Sequence, residues 1–90
     1  MTPLILATCM GSNEVVRLLI NNKANLNEVD CMNHNALFYA VFKNNESLVI
    51  ILCENNLKIE SKKSAEILDQ LVKSSKNTNI QSIMERFLRQ

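Results

Sequence analysis

Cys31 and His34 stand three positions apart, a thiol and an imidazole at the spacing of a nucleophile with its base or of half a metal site. The rest of the sequence completes neither chemistry. His34 is the one histidine, and Cys9, Cys31 and Cys53 are odd in number and too widely spaced for a CxxC pair, which argues against a zinc ribbon and a disulfide framework. The three thiols read as reduced, small apolar side chains. A single glycine cannot build a GxGxxG turn or a P-loop. The carboxylates Glu14, Glu28, Glu46, Glu54, Glu60, Glu66 and Glu85 read mostly as residues of solvated helix faces, their ordinary place. Lys58, Lys62 and Lys63 form a basic cluster without interleaved aromatics, which reads as a solvated loop rather than an RNA contact. The expectation is a chain that is not an enzyme and uses no cofactor, metal or small-molecule substrate.

The elements that position these side chains are bounded by composition. Ninety residues make one small domain, and 47% hydrophobic with 21% charged residues is the balance of a globular chain rather than a disordered one. Ten Lys plus Arg against nine Asp plus Glu leave a net charge of +1, so no strong field exists to hold phosphate backbones or an anionic membrane. Nucleic acid and membrane are therefore not expected partners. Apolar runs such as Leu48–Cys53 fall far below the ~18 residues of a membrane span. The apolar start, Met1–Met10, has no basic residue before Arg17 and no convincing cleavage site, so no secretory leader is expected and the cytoplasm is the default, with leaderless secretion left open.

One Gly and one Pro cannot punctuate a barrel or sandwich, whereas the apolar spacing is helical. Val15, Leu18 and Leu19 recur at i, i+3 and i+4; so do Leu48, Ile51 and Leu52, and Ile80, Ile83, Met84 and Phe87. The pattern predicts helices over 3–10, 13–21, 36–43, 46–54, 64–74 and 78–89, all within ~2–4 residues. The thirteen asparagines lie mainly between these clusters and read as turns and caps.

Sliding the chain by 33 positions superimposes two blocks. Leu4 meets Leu37, Ala7 meets Ala40, Val16 meets Val49, Leu19 meets Leu52 and Asn22 meets Asn55. Ile5 with Phe38, Val15 with Leu48 and Leu18 with Ile51 keep apolar opposite apolar. The core pattern repeats.

The repeated residues resemble the ankyrin-repeat family. Thr2-Pro3-Leu4-Ile5-Leu6-Ala7 is similar to the T-P-L-H-x-A start of that family's first helix, and Gly11 to Ile20 to its G-x-x-E-V-V-x-L-L-L second helix. Lys23-Ala24-Asn25-Leu26-Asn27 stands where G-A-D/N-x-N is usual, and Asp30 opens the next unit. In that unit Asn33 replaces the hairpin Gly, Asn35 the Thr, Ala36 the Pro, Phe38 the His and Asn44 the inter-helix Gly. The resemblance covers Thr2 to about Glu60. Beyond it the match lapses: Lys63 falls opposite Asp30, and Asp69 opposite Ala36.

The fold that the resemblance implies is all-α, an ankyrin-like solenoid of stacked antiparallel helix pairs joined by β-hairpin-like loops. Residues 1–62 would form two repeats, the first truncated at its N-terminus, and 63–90 a C-terminal capping helix pair. Thr2 and Asn35 are expected to cap their helices, and Thr78 with Gln81 to form a capping box. Lys23 is expected to bear positive φ at a cost of roughly 1 kcal/mol, with Asn56 better suited to the equivalent turn. Loss of the motif histidine at Ile5 and Phe38 implies a looser, less regular hairpin. A hairpin tip also offers Cys31 and His34 no oxyanion hole and no further metal ligands.

The function implied by the resemblance is non-enzymatic protein–protein recognition, through hairpin tips and the concave face of the first helices. Carried onto this chain, the contact positions are Val29, Cys31, Met32, His34, Tyr39, Phe42 and Lys43, with Cys9 and Met10 from the first unit. Packing of Tyr39 and Phe42 against a neighbouring repeat is the alternative for those two. A second reading takes the chain as a truncated fragment or remnant of a longer array with a purely structural role. The partner is an unidentified protein, and the chain is expected to be a monomer that self-associates weakly through an uncapped N-terminal face bearing Leu6.

Overall fold

Five helices start at a side chain that can accept a hydrogen bond. In the computed structural model, which describes residues 2–55, 57, 59 and 62–88, the helices are α1 Pro3–Met10, α2 Asn13–Asn21, α3 Ala36–Phe42, α4 Glu46–Glu54, α5 Lys62–Ser74 and α6 Thr78–Leu88. The sequence readings at Asn56, Lys58, Glu60, Arg89 and Gln90 lie outside the described residues. Thr2 Oγ1 accepts from the Ile5 N–H at 3.1 Å and Asn35 Oδ1 from the Phe38 N–H at 2.7 Å, satisfying donors that have no partner within the helix. Ser12 and Asn45 do the same for Val15 and Leu48. The expected helices agree with these bounds to within two residues, and no strand forms among the described residues.

The capping box expected at Thr78 is corrected by the structure. Asn77 is the cap, its Oδ1 accepting from the Ile80 N–H at 3.1 Å, while Gln81 donates instead to the carbonyls of Ser75 and Val72. An Asn caps at least as well as a Thr, and starting the helix there turns Ile80 and Met84 fully inward. The third unit thus follows the second by 32 positions rather than 33: Asn77 answers Asn45, Ile80 answers Leu48 and Met84 answers Leu52.

The helices form two layers. The first helices α1, α3 and α5 pack side by side, as do the second helices α2, α4 and α6, and within each unit the short inter-helix turn makes the pair antiparallel. Leu4, Ala7, Leu37 and Ala40 are buried between the layers, as their types at those positions require, and Val16, Val49, Leu52 and Met84 meet them from the other side of the core. The small Ala7 and Ala40 let helices approach closely. Gly11 (φ 72°) and Asn44 (φ 58°) make the turn in the left-handed region, 33 residues apart. Lys23 also adopts φ 63°, the strained turn expected from its side chain.

Translation along the stack explains burial that composition alone does not. Leu48 and Ile51 are 0% and 5% exposed, whereas their counterparts one unit earlier, Val15 and Leu18, are 44% and 60% exposed. The difference lies in position: α2 packs against α4, and no described helix occupies the equivalent place against α2. No helix among the described residues is long and apolar enough to cross a membrane.

Candidate functional site

The loop between α2 and α3 reaches its tip at residues 30–34, where the chain closes on itself through the Asp30 N–H donating to the His34 carbonyl at 3.0 Å. Asn33 (φ 63°) makes the left-handed step for which the family pattern uses glycine. The Asp30 carboxylate ties the turn from inside. Its Oδ1 accepts from the Met32 N–H at 2.9 Å and the His34 N–H at 3.0 Å, and its Oδ2 accepts from the Tyr39 hydroxyl in the first turns of α3. His34 Nδ1 lies 3.4 Å from the same hydroxyl, and the His34 ring stacks on Phe38 at 3.7 Å between centroids.

The electrostatics follow from these bonds. Burial pushes the Asp30 carboxyl up, but the Tyr39 hydroxyl and the two backbone N–H groups outweigh it and hold the group below its ordinary 3.8. In Tyr39 the hydrogen bond to Asp30 and then burial act in the same direction, and the phenol is pushed up to about 12. One bond therefore moves the two partners unequally, because burial opposes it at Asp30 and reinforces it at Tyr39. Beside the lost motif histidine, Asp30 and Tyr39 supply a link within the tip. Nine residues separate them, and no periodic pattern signals the contact.

Of the sequence-derived contact positions, Val29, Cys31, Met32, Phe42 and Lys43 are exposed, with Met32 62% and Phe42 60% accessible, and Met10 on α1 is 75% accessible. His34 and Tyr39 are half-buried and spend their polar atoms inside the tip. Cys9 is half-buried. Phe42 stacks on Phe38 at 6.0 Å and carries the Lys43 ammonium 5.9 Å from its ring centroid. The tip is anchored to the third unit by Ser64, a buried residue whose hydroxyl donates to the Asn33 carbonyl at 2.8 Å.

Beside Phe42 the first-helix layer opens into a groove of about 410 Å³. Val41, Phe42 and Leu71 give it an apolar side; Asn44, Ser74, Ser75, Lys76 and Asn77 give it a polar one. Its α5 half was missed in the sequence because the 33-residue register fails there. A shift of 32 sets Ser74 opposite Phe42, which is the signal that finds it.

A family model described as ankyrin repeats (three copies) matches residues 1–63 of the chain. The chain belongs to the ankyrin-repeat family. Ankyrin repeats are in general protein–protein interaction modules rather than enzymes. No match was found among curated proteins or solved structures. His34 turns to Tyr39 and Phe38. Cys53, half-buried against the core, has its thiol pushed up to about 11 by burial and then by Glu54, which keeps it protonated and a poor nucleophile at neutral pH.

Proposed function

We propose that this ankyrin-repeat chain captures a protein partner on the surface formed by its hairpin tip and first helices. Residues 1–62 act as two repeats and 63–90 as the capping pair. Val29, Cys31, Met32, Phe42 and Lys43 make the contact. His34 and Tyr39 present the tip to the partner by their bonds to Asp30 and their ring contacts. The observation that carries this reading is the exposure of Met10, Met32 and Phe42, large methionine and aromatic side chains on the first helices and the tip. Methionine and aromatic side chains of this kind are enriched at the buried centre of protein interfaces.

The test is selection of displayed random peptides on the native chain, followed by binding to a Met32→Ser, Phe42→Ser variant. Each anchor is expected to contribute on the order of 2 kcal/mol, so the double variant loses affinity by a factor of roughly 1000 where the two add, with helical circular dichroism unchanged. Unchanged affinity refutes the surface.

A second reading rests on the exposure of Val15 and Leu18 at positions that are buried one unit later. With Leu6 they form an apolar N-terminal face on which two copies pair weakly. Sedimentation at rising concentration is expected to show a monomer–dimer equilibrium that Leu18→Glu abolishes; a monomer throughout refutes the pairing.

A further inference from the structure

The groove beside Phe42 has a charge pattern that specifies its occupant. None of its eight lining residues is acidic, and the carboxylate bonded to its wall, that of Glu46, is engaged by the Asn77 amide at 2.8 Å and the Asn79 amide at 3.4 Å. Its apolar side, Phe42 and Leu71, adjoins the ammonium of Lys76, and Lys43 stands at its edge over the Phe42 ring. Lys73 nearby is already neutralised by Asp69, at 3.0 Å. The bias extends over the layer. Among the described residues, the first helices and the turns that follow them carry five lysines against two carboxylates, while the second helices carry four glutamates against two arginines. A net charge of +1 conceals this uneven distribution: among the described residues the first helices and their turns carry an excess of lysine and the second helices an excess of glutamate. The acidic residues of the α2–α3 loop, Glu28 and Asp30, precede α3 and so lie on the side of its N-terminus, away from the groove, and Asp30 is engaged by Tyr39.

We infer that the groove receives an acidic peptide segment, with an aliphatic or aromatic side chain laid on Phe42 and Leu71 and an adjoining Asp or Glu carboxylate held by Lys43 and Lys76. Charge assistance makes an ammonium–carboxylate contact at the edge of an apolar groove stronger than a neutral hydrogen bond, and the excess of glutamate on the second helices disfavours an acidic ligand there. This inference rests on the reading of the first-helix face as a protein-binding surface and names the chemistry of the partner.

The test selects random twelve-residue peptides displayed on phage against the native chain and against a Lys43→Glu, Lys76→Glu variant. Both lysines are exposed and outside the core, so the variant should remain folded, which circular dichroism checks. On the native chain the enriched peptides should carry Asp or Glu beside an apolar residue. A representative peptide should shift the backbone resonances of residues 41–44 and 71–77, bind at least tenfold more weakly to the variant and weaken as salt rises. A selected pool no more acidic than the starting library overturns the inference, as does equal affinity for the two proteins or a preference for anionic phosphatidylserine vesicles over every peptide. If neutral peptides are selected and lose binding with Met32→Ser, Phe42→Ser, the acidic preference falls while the protein-binding surface stands. If no peptide is enriched, both fall.

Discussion

Replacing Ile51 by alanine is expected to lower the unfolding free energy by about 2–5 kcal/mol, whereas Leu18→Ala changes it by less than ~0.5 kcal/mol. The two residues are 33 positions apart and equivalent within their units, so residue type and helix position cannot separate them. What separates them is the neighbouring helix. Ile51 is 5% exposed in a stack where α2 packs against α4, and Leu18 is 60% exposed on the first unit. Truncating Ile51 leaves a cavity that packed helices relax into only partly, while Leu18 loses surface that water already reaches. Leu4 and Leu37, buried alike between the layers at 2% and 0% exposure, form the control: alanine at either costs similar amounts. A chain of this length has a total stability of roughly 5–13 kcal/mol, so Ile51→Ala removes a large part of it. Urea titrations followed by circular dichroism measure all four. Equal losses at Ile51 and Leu18 contradict this stacking, in which Ile51 is covered by a neighbouring helix and Leu18 is open to water.

The stack was legible in the sequence wherever the same demand recurs at a constant interval. Leu4 and Leu37, or Val16 and Val49, meet the same environment in successive units, and the 33-residue shift pairs them. Thr2 and Asn35 could be named as caps because a short polar acceptor just before an apolar helical run has few other uses. Asn22 and Asn55 repeat even the bond at the helix end, each amide donating to the carbonyl four residues earlier. Legibility failed where the interval changed. Loss of one residue between Asn45 and Asn77 moved the last cap off the expected Thr78 and hid the correspondence of Phe42 with Ser74, hence half of the groove. It failed also where a contact is unique. The bond from Tyr39 to Asp30 joins a helix to a turn within one tip, so no periodicity announces it.

That geometry makes Asp30→Ala the second large effect. The substitution leaves three donors, the N–H groups of Met32 and His34 and the Tyr39 hydroxyl, without their acceptor. Hydrogen bonds to a charged group are worth about 1.5–3 kcal/mol, and water reaches the exposed Met32 side of the turn, so a total loss near 2–3 kcal/mol is expected. The pH dependence identifies the source. The Asp30 carboxyl titrates below 3.8 in the folded chain, so its contribution is complete above that value and is lost as pH falls through the folded value. Tyr39 titrates at about 12 rather than 10.0, so its contribution is complete below pH 10 and lost as pH rises toward 12. The native tip is therefore firmest between about pH 4 and 10. Tyr39→Phe should flatten the alkaline limb and Asp30→Ala the acid limb. A double-mutant cycle should return a coupling of about 0.5–3 kcal/mol at neutral pH, because each single change breaks the same bond. A coupling near zero assigns the loss to the backbone bonds of Met32 and His34 alone, and Tyr39 would then contribute packing on Phe38 and His34 instead of a hydrogen bond.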